Sequence, residues 1–345
     1  MSKKDLSVLK LKNTIFQKDK IKKTYLSFRK SLNQTIGSRP FLVAVSGGPD
    51  SLALAALSNT YRREKLNKVY FVLVDHRLRK NSTFESKSVK KLLKKNKINL
   101  TILTNKRKIE KNIQSNARNI RYELLRNYCK NKKVKFILTG HHRDDQIETF
   151  LIRLSRGSGV QGLSSMSKMT KLENNVKLFR PLLNEKKSDL ISLSKVFFKK
   201  IFKDPSNDNQ KYLRSKIRKL IEQFDKSGIN KNQIISSINN LASTRDTLNS
   251  YMLKALKNCV VKKKGKSHIN FEKLIIESEE IQFKIISSQL RTISSKYYPP
   301  RAKKVLNLLQ RIRLKKIAKS TLGGCLIIRS GKELIISKEK VKKNI

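Results

Sequence analysis

The residues best suited to chemistry in this sequence stand where an apolar run meets a helical pattern. Residues 43–57 read VAVSGGPDSLALAAL, which places glycines, serines and an aspartate at that joint. A strand that turns directly into a helix presents backbone N–H groups and the positive end of the helix dipole. Gly47 and Gly48 have no side chains, which lets a phosphate approach the main chain closely. The joint predicts a polyphosphate site to which Ser46 and Ser51 add hydroxyl donors.

Asp50 lies inside the same joint and indicates a metal ion. A carboxylate would repel phosphates unless a cation lay between them, and Mg²⁺ binds carboxylates together with substrate phosphates. We therefore expect Asp50 to bind Mg²⁺. The joint fits neither the GxxxxGK[ST] pattern nor the GxGxxG pattern, so it belongs to neither of these phosphate-binding types.

A second polar cluster, GHHRDDQIET, follows a later apolar run. Asp144, Asp145 and Glu148 open a predicted helix and could bind Mg²⁺ or the ammonium groups of a cationic substrate. The alternative is that these acids only stabilise the helix dipole. Either His141 or His142 could act as a general base or contact a nucleotide, and at least one of them could instead serve structure.

Two arginine pairs are candidates for binding phosphates. Arg118 and Arg121 are three residues apart on one predicted helix, and Arg214 and Arg218 are four apart on another. Guanidinium groups at such spacing could bind phosphates of ATP or of RNA. In so basic a chain, a solvated surface is the competing interpretation for any single arginine.

Strand and helix patterns alternate from residue 41 onward and predict the element order that positions these residues. The apolar runs FLVAV, KVYFVLVDH, INLTILT and VKFILTGHH each precede a helical pattern. This alternation predicts an α/β fold, a parallel doubly wound sheet with helices on both faces. Ligands of such sheets bind beyond the carboxyl ends of the strands. Asp75 and Gly140 follow two of the strands, so we expect both near the nucleotide.

The composition divides the chain into three parts. Residues 1–38 form a basic extension, 39–224 the α/β catalytic domain, and 225–345 a smaller, mainly helical domain. The last stretch, GGCLIIRSGKELIIS, has the alternation and central glycine of a β-hairpin. The glycine- and serine-rich segment at 155–166 predicts a loop, either a mobile cover over the site or a plain connection.

The net charge of +55 points to a polyanionic partner. So large an excess of Lys and Arg binds RNA or DNA by releasing counterions. The competing interpretation is genome composition, because Lys, Asn and Ile are all abundant.

The cysteines and the apolar runs exclude several classes of protein. Cys129, Cys259 and Cys325 are isolated, which argues against a disulfide framework, a zinc site and an iron–sulfur cluster. The first residues contain no apolar core typical of a signal peptide, and no apolar run reaches the length of a membrane span. We expect a soluble, cytoplasmic protein with no membrane partner.

Several segments, in order, resemble a known family. SGGPDS resembles the signature of the N-type ATP pyrophosphatases, also called PP-loop enzymes. The segments VDHRLR, NARNIRYELL, TGHHRDDQIETFLIRLSRGSGVQGL and KDPSNDNQKYLRSKIR resemble those of the tRNA(Ile)-lysidine synthases. The resemblance covers about residues 40–220. It departs from the family at Arg214–Ser215, where an arginine–asparagine pair is usual, which puts any role of that asparagine in doubt.

The resemblance implies an activity, partners and site residues. It implies a PP-loop fold like that of the adenine nucleotide alpha hydrolases, which binds ATP and Mg²⁺, free L-lysine and the tRNA(Ile) bearing CAU. ATP would adenylate cytidine 34 and lysine would then displace AMP. The implied catalytic residues are Asp50, Asp145 and His141. The implied ATP-binding residues are Ser46, Gly47, Gly48, Pro49, Asp50, Ser51, Asp75 and Gly140. The candidates for binding lysine or RNA are Asp144, Glu148, Arg118, Arg121, Arg214 and Arg218.

Three alternatives remain at this point. A PP-loop tRNA thiolase would need catalytic or cluster-binding cysteines, which are isolated here. PP-loop enzymes that amidate small molecules would not need so cationic a surface. A non-catalytic basic RNA-binding protein would leave the ordered SGGPDS and HHRDDQIET segments unexplained.

The charge excess predicts that affinity for tRNA falls steeply with salt. Each phosphate neutralised by Lys or Arg releases counterions, so log affinity should fall linearly with log salt, by roughly 0.7–0.9 per phosphate contacted. Filter binding or fluorescence anisotropy between low and physiological salt measures this slope. A flat response would show that the basic excess does not serve RNA binding.

Overall fold

A computed structural model describes residues 19–79, 81–110, 112–199, 202, 213–295, 300–314 and 318–339. Residues 1–18 of the predicted N-terminal extension and residues 203–212 of the DPSN segment lie outside the described residues. The chain divides into two compact units, Met1–Ala242 and Ser243–Ile345.

The first unit is built on a six-stranded sheet. Five strands are parallel: β1 (Phe41–Val45), β2 (Val69–Asp75), β3 (Leu100–Thr104), β4 (Phe136–Leu138) and β6 (Lys177–Phe179). Strand β5 (Met169–Lys171) pairs antiparallel with β6 at the edge. The predicted parallel sheet is confirmed. Strands β5 and β6 were not predicted, because their sequences, MTK and KLF, are short and contain lysine and so form no apolar run like that of β4.

Helices connect these strands and cover both faces of the sheet. In chain order the helices up to residue 198 are α1 (Asp19–Thr35), α2 (Pro49–Lys65), α3 (Ser82–Lys95), α4 (Ile113–Asn131), α5 (Arg143–Leu154), α6 (Val160–Leu163) and α7 (Lys187–Phe198). Two further helices follow, α8 (Leu213–Lys226), which packs against α5, and α9 (Lys231–Cys259), which continues into the second unit. Helix α2 is almost wholly buried because LALAAL places small and apolar residues all round the helix. Helix α6 lies inside the segment predicted to be a loop. One apolar cluster packs around α2 and a second packs between the sheet and α4.

The strand order creates a crevice between β1 and β4. The strand order is β3-β2-β1-β4-β6-β5. The chain therefore places β2 and β3 on one side of β1, and then β4 and the later strands on its other side. Loops that follow β1 and β4 therefore diverge at the carboxyl edge of the sheet, where ligands of doubly wound sheets bind. The SGGPDS and GHHRDD segments are these two loops.

Two glycines allow close packing around the corner after β1. A Cβ added at Gly140 would lie 2.8 Å from the carbonyl oxygen of Asp50 and 3.1 Å from the nitrogen of Ser51. Gly47 has a φ of +90°, a conformation that side chains rarely adopt, and its Cβ would meet Val89 at 2.7 Å. Gly140 thus fixes how closely the backbone after β4 approaches the start of α2, whereas Gly47 fixes how closely the corner packs against α3.

The second unit contains a five-stranded antiparallel sheet of order β7-β8-β11-β10-β9. Its strands are β7 (Val260–Lys263), β8 (Lys266–Asn270), β9 (Lys319–Leu322), β10 (Cys325–Ser330) and β11 (Glu333–Lys338). Its remaining helices are α10 (Phe271–Ile276), α11 (Glu279–Ser294) and α12 (Ala302–Arg313). The predicted terminal hairpin is β10–β11. The other strands were missed because they are short and lysine-rich, which weakens their alternation.

No helix among the described residues combines the length and the hydropathy that crossing a bilayer requires.

Gly140→Ala should destabilise the first unit and weaken ATP binding. The new methyl group would overlap backbone atoms of Asp50, which cannot rotate away as a side chain could. We expect a loss of about 1–3 kcal/mol, the usual range for overpacking, by denaturant unfolding. The control is Gly159→Ala, where the new Cβ would meet no atom within 4 Å. Equal losses in the two variants would contradict the proposed tight approach.

Candidate active site

The loop after β1 is closed by its own serine. Ser51 Oγ accepts hydrogen bonds from the backbone N–H groups of Ser46, at 3.0 Å, and Gly47, at 3.1 Å, and donates to the Gly48 carbonyl at 3.0 Å. Ser46 Oγ lies 3.1 Å from Ser51 Oγ. Gly48 is the N-cap of α2 and Pro49 follows within its first turn, so the first turn of α2 faces the crevice. The two serines thus shape the corner as well as lining it.

Asp50 has one oxygen with a partner and one without. Its Oδ2 lies 3.5 Å from His142 Nε2, whereas its Oδ1 is buried without a hydrogen-bond partner. An orphaned carboxylate oxygen at the start of a helix suits a divalent cation. Among the residues that the structure covers, no three His, Cys, Asp or Glu side chains form a metal site by themselves.

His142 joins the two loops. It is the buried N-cap of α5 and forms a capping box: its backbone N–H donates to Asp145 Oδ2 at 3.1 Å, and Asp145 N–H donates to His142 Nδ1 at 3.4 Å. Burial disfavours protonation of His142, but the hydrogen bond to Asp50 and the charges of Asp145, Asp50 and Asp144 outweigh it and raise its pKa.

The other two acids of the cluster, Asp144 and Glu148, have hydrogen-bond partners within the protein. Asp144 Oδ2 accepts the backbone N–H of Lys187 at 3.1 Å and thereby caps α7. Glu148 is buried and accepts 2.6 Å hydrogen bonds from Arg214 Nε and Arg218 Nε. Arg214 also donates to Asp145 Oδ1 at 3.2 Å. Helix α5 is thus fastened to α8 by ion pairs.

His141 occupies a strongly cationic environment. Its Nδ1 lies 2.8 Å from Thr139 Oγ1. Burial, together with the charges of Arg180, Arg118 and Arg214, lowers the pKa of His141 to about 3. The ring is therefore neutral at physiological pH.

Asp75 and His76 form a second group at the end of β2. Asp75 Oδ1 accepts the N–H of Arg77 at 3.0 Å and its Oδ2 accepts the hydroxyl of Thr83 at 2.8 Å, so both oxygens support the following loop. Arg121 Nε lies 3.3 Å from His76 Nε2, and burial, followed by the charge of Arg121, lowers the pKa of His76 to about 4.

Arg118 lies on the same helix as Arg121, and its guanidinium stacks over the ring of Tyr122 at 5.1 Å. The structure thus brings together the corner, Gly140 and the α5–α8 cluster. Asp75 ends β2, the strand beside β1, and Arg121 contacts His76 there.

Sequence reasoning did not select His142 over His141 as the contact of Asp50, and it did not select Arg180. A histidine followed three residues later by an acid is the pattern of a capping box, which could have identified His142. An arginine directly after a buried apolar run was the only signal for Arg180.

The three histidines of the first unit should titrate in different pH ranges. We expect His141 and His76 to titrate near pH 3 and 4, and His142 to titrate above its ordinary value near 6.5. The pH titration of imidazole NMR signals measures this, and since the chain has only 4 histidines, His→Gln variants assign them.

These pKa shifts change the pH dependence of folding stability in opposite directions. His141 and His76 have lowered pKa values, so the unfolded chain binds their protons first and acidification below pH 6.5 destabilises the fold through them. His142 has a raised pKa, so its contribution is complete below pH 6.5 and is lost as pH rises through its folded value. Three coincident titrations near pH 6.5 would contradict this electrostatic description.

Comparisons with known proteins agree with this geometry. Residues 18–224 match the PP-loop domain family. The chain is 36% identical over 302 residues to the tRNA(Ile)-lysidine synthase of Wolbachia pipientis wMel, covering 86% of this chain and 70% of that protein. It is 32% identical over 329 residues to the tRNA(Ile)-lysidine synthase of Rickettsia typhi, covering 92% and 75%.

Among solved structures, the U34-tRNA thiolase NcsA of Methanococcus maripaludis has the same fold. It superposes with a TM-score of 0.55 at 22% identity, covering 64% of this chain and 78% of that chain. The glycine corner lies within the matched PP-loop domain. The chain belongs to the tRNA(Ile)-lysidine synthase family, ATP-dependent ligases that modify tRNA.

Proposed function

We propose that this enzyme joins free L-lysine to C2 of cytidine 34 in the CAU anticodon of tRNA(Ile), which changes the codon read from AUG to AUA. The observation that carries the proposal is the buried, unpartnered Oδ1 of Asp50 at the glycine corner, next to His142. It supports a site in which a triphosphate and its metal lie beside side chains that could deprotonate and orient an amine.

In the first step, the C2 oxygen of the cytidine attacks the α-phosphorus of ATP. The bond from the α-phosphorus to the bridging oxygen breaks, and pyrophosphate leaves. Gly47 and Gly48 leave room for the phosphates, and the first turn of α2 favours their charge. Asp50 would hold Mg²⁺, which supplies charge compensation when bound. The base must leave the anticodon stack to reach the crevice, which costs least in a single-stranded loop.

In the second step, the ε-amine of lysine attacks C2 and AMP departs with the oxygen. The ammonium must first lose a proton, and His141 is the proposed base because it is neutral and hydrogen-bonded to Thr139. A pKa of about 3 makes it a weak base in the free protein. The charges of Arg180, Arg118 and Arg214 lower this pKa, so an anion bound beside them would offset their charge and raise it.

The remaining predicted residues receive narrower proposed roles. Asp145 lies between His142 Nε2, at 3.6 Å, and Arg214 Nη2, at 3.2 Å, and we assign it to orient the lysine amine. Glu148 balances Arg214 and Arg218, which positions α8. Arg118 and Arg121 would contact phosphates of ATP or RNA.

The division of labour between the parts of the chain is also a proposal. Residues 39–224 would carry catalysis, and residues 225–345 would supply tRNA contacts. The charge of +55 supports RNA contacts in both.

A thiolase reaction is less well supported by the cysteines. All three are buried, and burial raises the pKa of Cys129 to about 12, which disfavours the thiolate.

The test combines purified enzyme, ATP, labelled lysine and the CAU-bearing tRNA(Ile) transcript, with a C34U transcript as control. We expect label in the CAU transcript only, with AMP and pyrophosphate formed in equal amounts. Pyrophosphate without lysine transfer would show adenylation followed by another acceptor, and no ATP turnover at all would overturn the proposal.

Asp50→Asn should remove pyrophosphate release while tRNA affinity stays within twofold. Loss of the metal-binding carboxylate weakens charge stabilisation in the transition state, for which we expect a rate loss of about 10²- to 10³-fold. The matched control is Asp246→Asn, which makes the same change at an exposed residue of α9. Retained turnover in the first variant would remove Asp50 from the metal role.

A further inference from the structure

A cavity of about 550 Å³ opens beside the α5–α8 cluster, within the first unit. Its walls are the first residues of α5, the first residues of α7 and the turn between α8 and α9. Asp144 lines the cavity, and its Oδ2 lies 3.7 Å from His142 Nδ1. His142 in turn contacts Asp50. One carboxylate and one imidazole therefore link this cavity to the glycine corner.

The cavity is strongly cationic. Arg143, Lys186, Lys187 and Lys231 line it, and among the described lining residues Asp144 is the one acid. Asp144 Oδ2 already accepts the backbone N–H of Lys187 at 3.1 Å. Within the part of the chain that the structure describes, neither Lys186 nor Lys187 forms an ion pair with a carboxylate. The lining thus attracts an anion.

The acids that flank these lysines in the sequence do not line the cavity. The carboxylate of Glu185 accepts hydrogen bonds from Ser27 Oγ at 2.9 Å and Thr24 Oγ1 at 3.4 Å, both on α1. The charge of Asp189 contributes to a raised pKa of Glu185, so these two carboxylates lie near each other. The positive charge of the cavity is therefore not cancelled by its sequence neighbours.

Hydrogen bonds hold the walls of the cavity in place. The backbone N–H of Arg143 donates to the carbonyl of Glu185 at 3.0 Å, which joins α5 to the segment before α7. Arg143 Nη2 donates to Asn232 Oδ1, which joins α5 to the start of α9. Residues of α5, α8 and the first turns of α9 also share one apolar cluster. The cavity is thus preformed, which lowers the cost of binding a ligand there.

The size and the lining of the cavity suit one nucleotide of a strand. A volume of about 550 Å³ lies within the range of roughly 300–1,000 Å³ that is usual for small-molecule sites. Ile229, in the turn between α8 and α9, is 44% exposed and adds an apolar wall. Lys186 and Asn232 are exposed, so the cavity is open to solvent and can admit part of a polymer. A nucleotide offers both a phosphate for the cations and a base for the apolar wall.

We propose that this cavity, named here the Lys186 pocket, binds the nucleotide of the substrate tRNA next to the reacting cytidine. The cations contact its phosphate, and Ile229 packs against its base. This inference rests on the proposed function. It assigns RNA recognition to α7 and to the α8–α9 turn, outside the two arginine pairs that the sequence suggested.

The position of the pocket matches the path of the RNA. The nucleotides of a strand are joined, so the phosphates beside an extruded base must lie at the mouth of the site that receives that base. The Lys186 pocket lies there, because Asp144 belongs both to its lining and to the group around His142. A neighbouring nucleotide held in the pocket would keep the cytidine out of the anticodon stack.

The first experiment measures the affinity of Lys186→Gln for the CAU-bearing tRNA(Ile) transcript. We expect Kd to rise several-fold at low salt, and the slope of log affinity against log salt to fall by about 0.7, the value for one phosphate of a single strand. KM for ATP and for lysine should stay unchanged. The matched control is Lys95→Gln, an exposed residue at the end of α3, which should change neither Kd nor slope. Unchanged Kd and slope in Lys186→Gln would overturn the proposal.

The second experiment locates the phosphate. Each phosphate of the anticodon loop is replaced in turn by a neutral methylphosphonate, and every RNA is tested with the wild type and with Lys186→Gln. Neutralising a phosphate beside cytidine 34 should weaken binding to the wild type but not weaken binding to the variant further, because the contact is already lost. Additive effects at both phosphates flanking cytidine 34 would show that Lys186 acts elsewhere and would overturn the proposal.

The third experiment tests the apolar wall. Ile229→Ser should raise Kd for the same tRNA and leave the salt slope unchanged, because no charge is removed. The control is Leu66→Ser, which removes another exposed apolar side chain, at the far end of α2, and should not change Kd. Unchanged affinity in Ile229→Ser would contradict a bound base and overturn the proposal.

Other anions are separated by their own measurements. A raised KM for lysine, or weaker product inhibition by pyrophosphate, with unchanged tRNA affinity in Lys186→Gln would assign the pocket to that anion and overturn the proposal. Binding of tRNA is measured without turnover, so the two levels of inference can fail separately. A wild type that binds the tRNA but transfers no lysine refutes the proposed function, whereas lysine transfer with additive effects refutes only the Lys186 pocket.

Discussion

The close approach of two backbone segments is the constraint on which the site depends. The segment after β4 passes so near the start of α2 that a single methyl group at Gly140 would overlap Asp50. Neighbouring parallel strands lie within hydrogen-bonding distance, so the loops that follow them compete for the same space. Because Gly140 has no side chain, the two segments can approach each other this closely. The result is that His142, two residues further along, contacts the carboxylate of Asp50.

A chain of alternating charges extends from that contact across the site. It runs through Asp50, His142, Asp145, Arg214, Glu148 and Arg218. Each member is flanked by opposite charge, which offsets the cost of removing these groups from water. The chain also links α2, α5 and α8, elements that are far apart in sequence. Substrate groups would therefore meet a preformed electrostatic field, as catalysis by charge stabilisation requires.

Arg118 and Arg180 lie outside this chain of ion pairs but close enough to His141 to act on its charge. Among the described residues, neither Arg118 nor Arg180 forms an ion pair with a carboxylate. Both arginines lower the pKa of His141. An anion bound among them would relieve the desolvation of Arg180 and make His141 more basic at once. Substrate binding and proton transfer would then be coupled by charge alone, without any movement of the backbone.

The sequence by itself determined the parallel sheet and the position of the nucleotide corner. Both depend on local information: apolar runs of strand length recur between helical patterns, and SGGPDS combines the glycines and serines that a strand-to-helix turn needs. Its limits were also local. Strands β5 to β9 are short and contain lysine, so their sequences show no clear alternation of apolar and polar residues and they were missed.

Only the tertiary structure decided which of the charged residues pair and which remain unpaired. Sequence placed Glu148 among candidates for binding lysine, yet two arginines of α8, more than sixty residues away, occupy its carboxylate. It could not rank His142 above His141, nor show that Arg180 is buried without an anion. Ion pairing and burial depend on contacts between segments that are distant in sequence. These segments come into contact only when the strands have taken their order in the sheet.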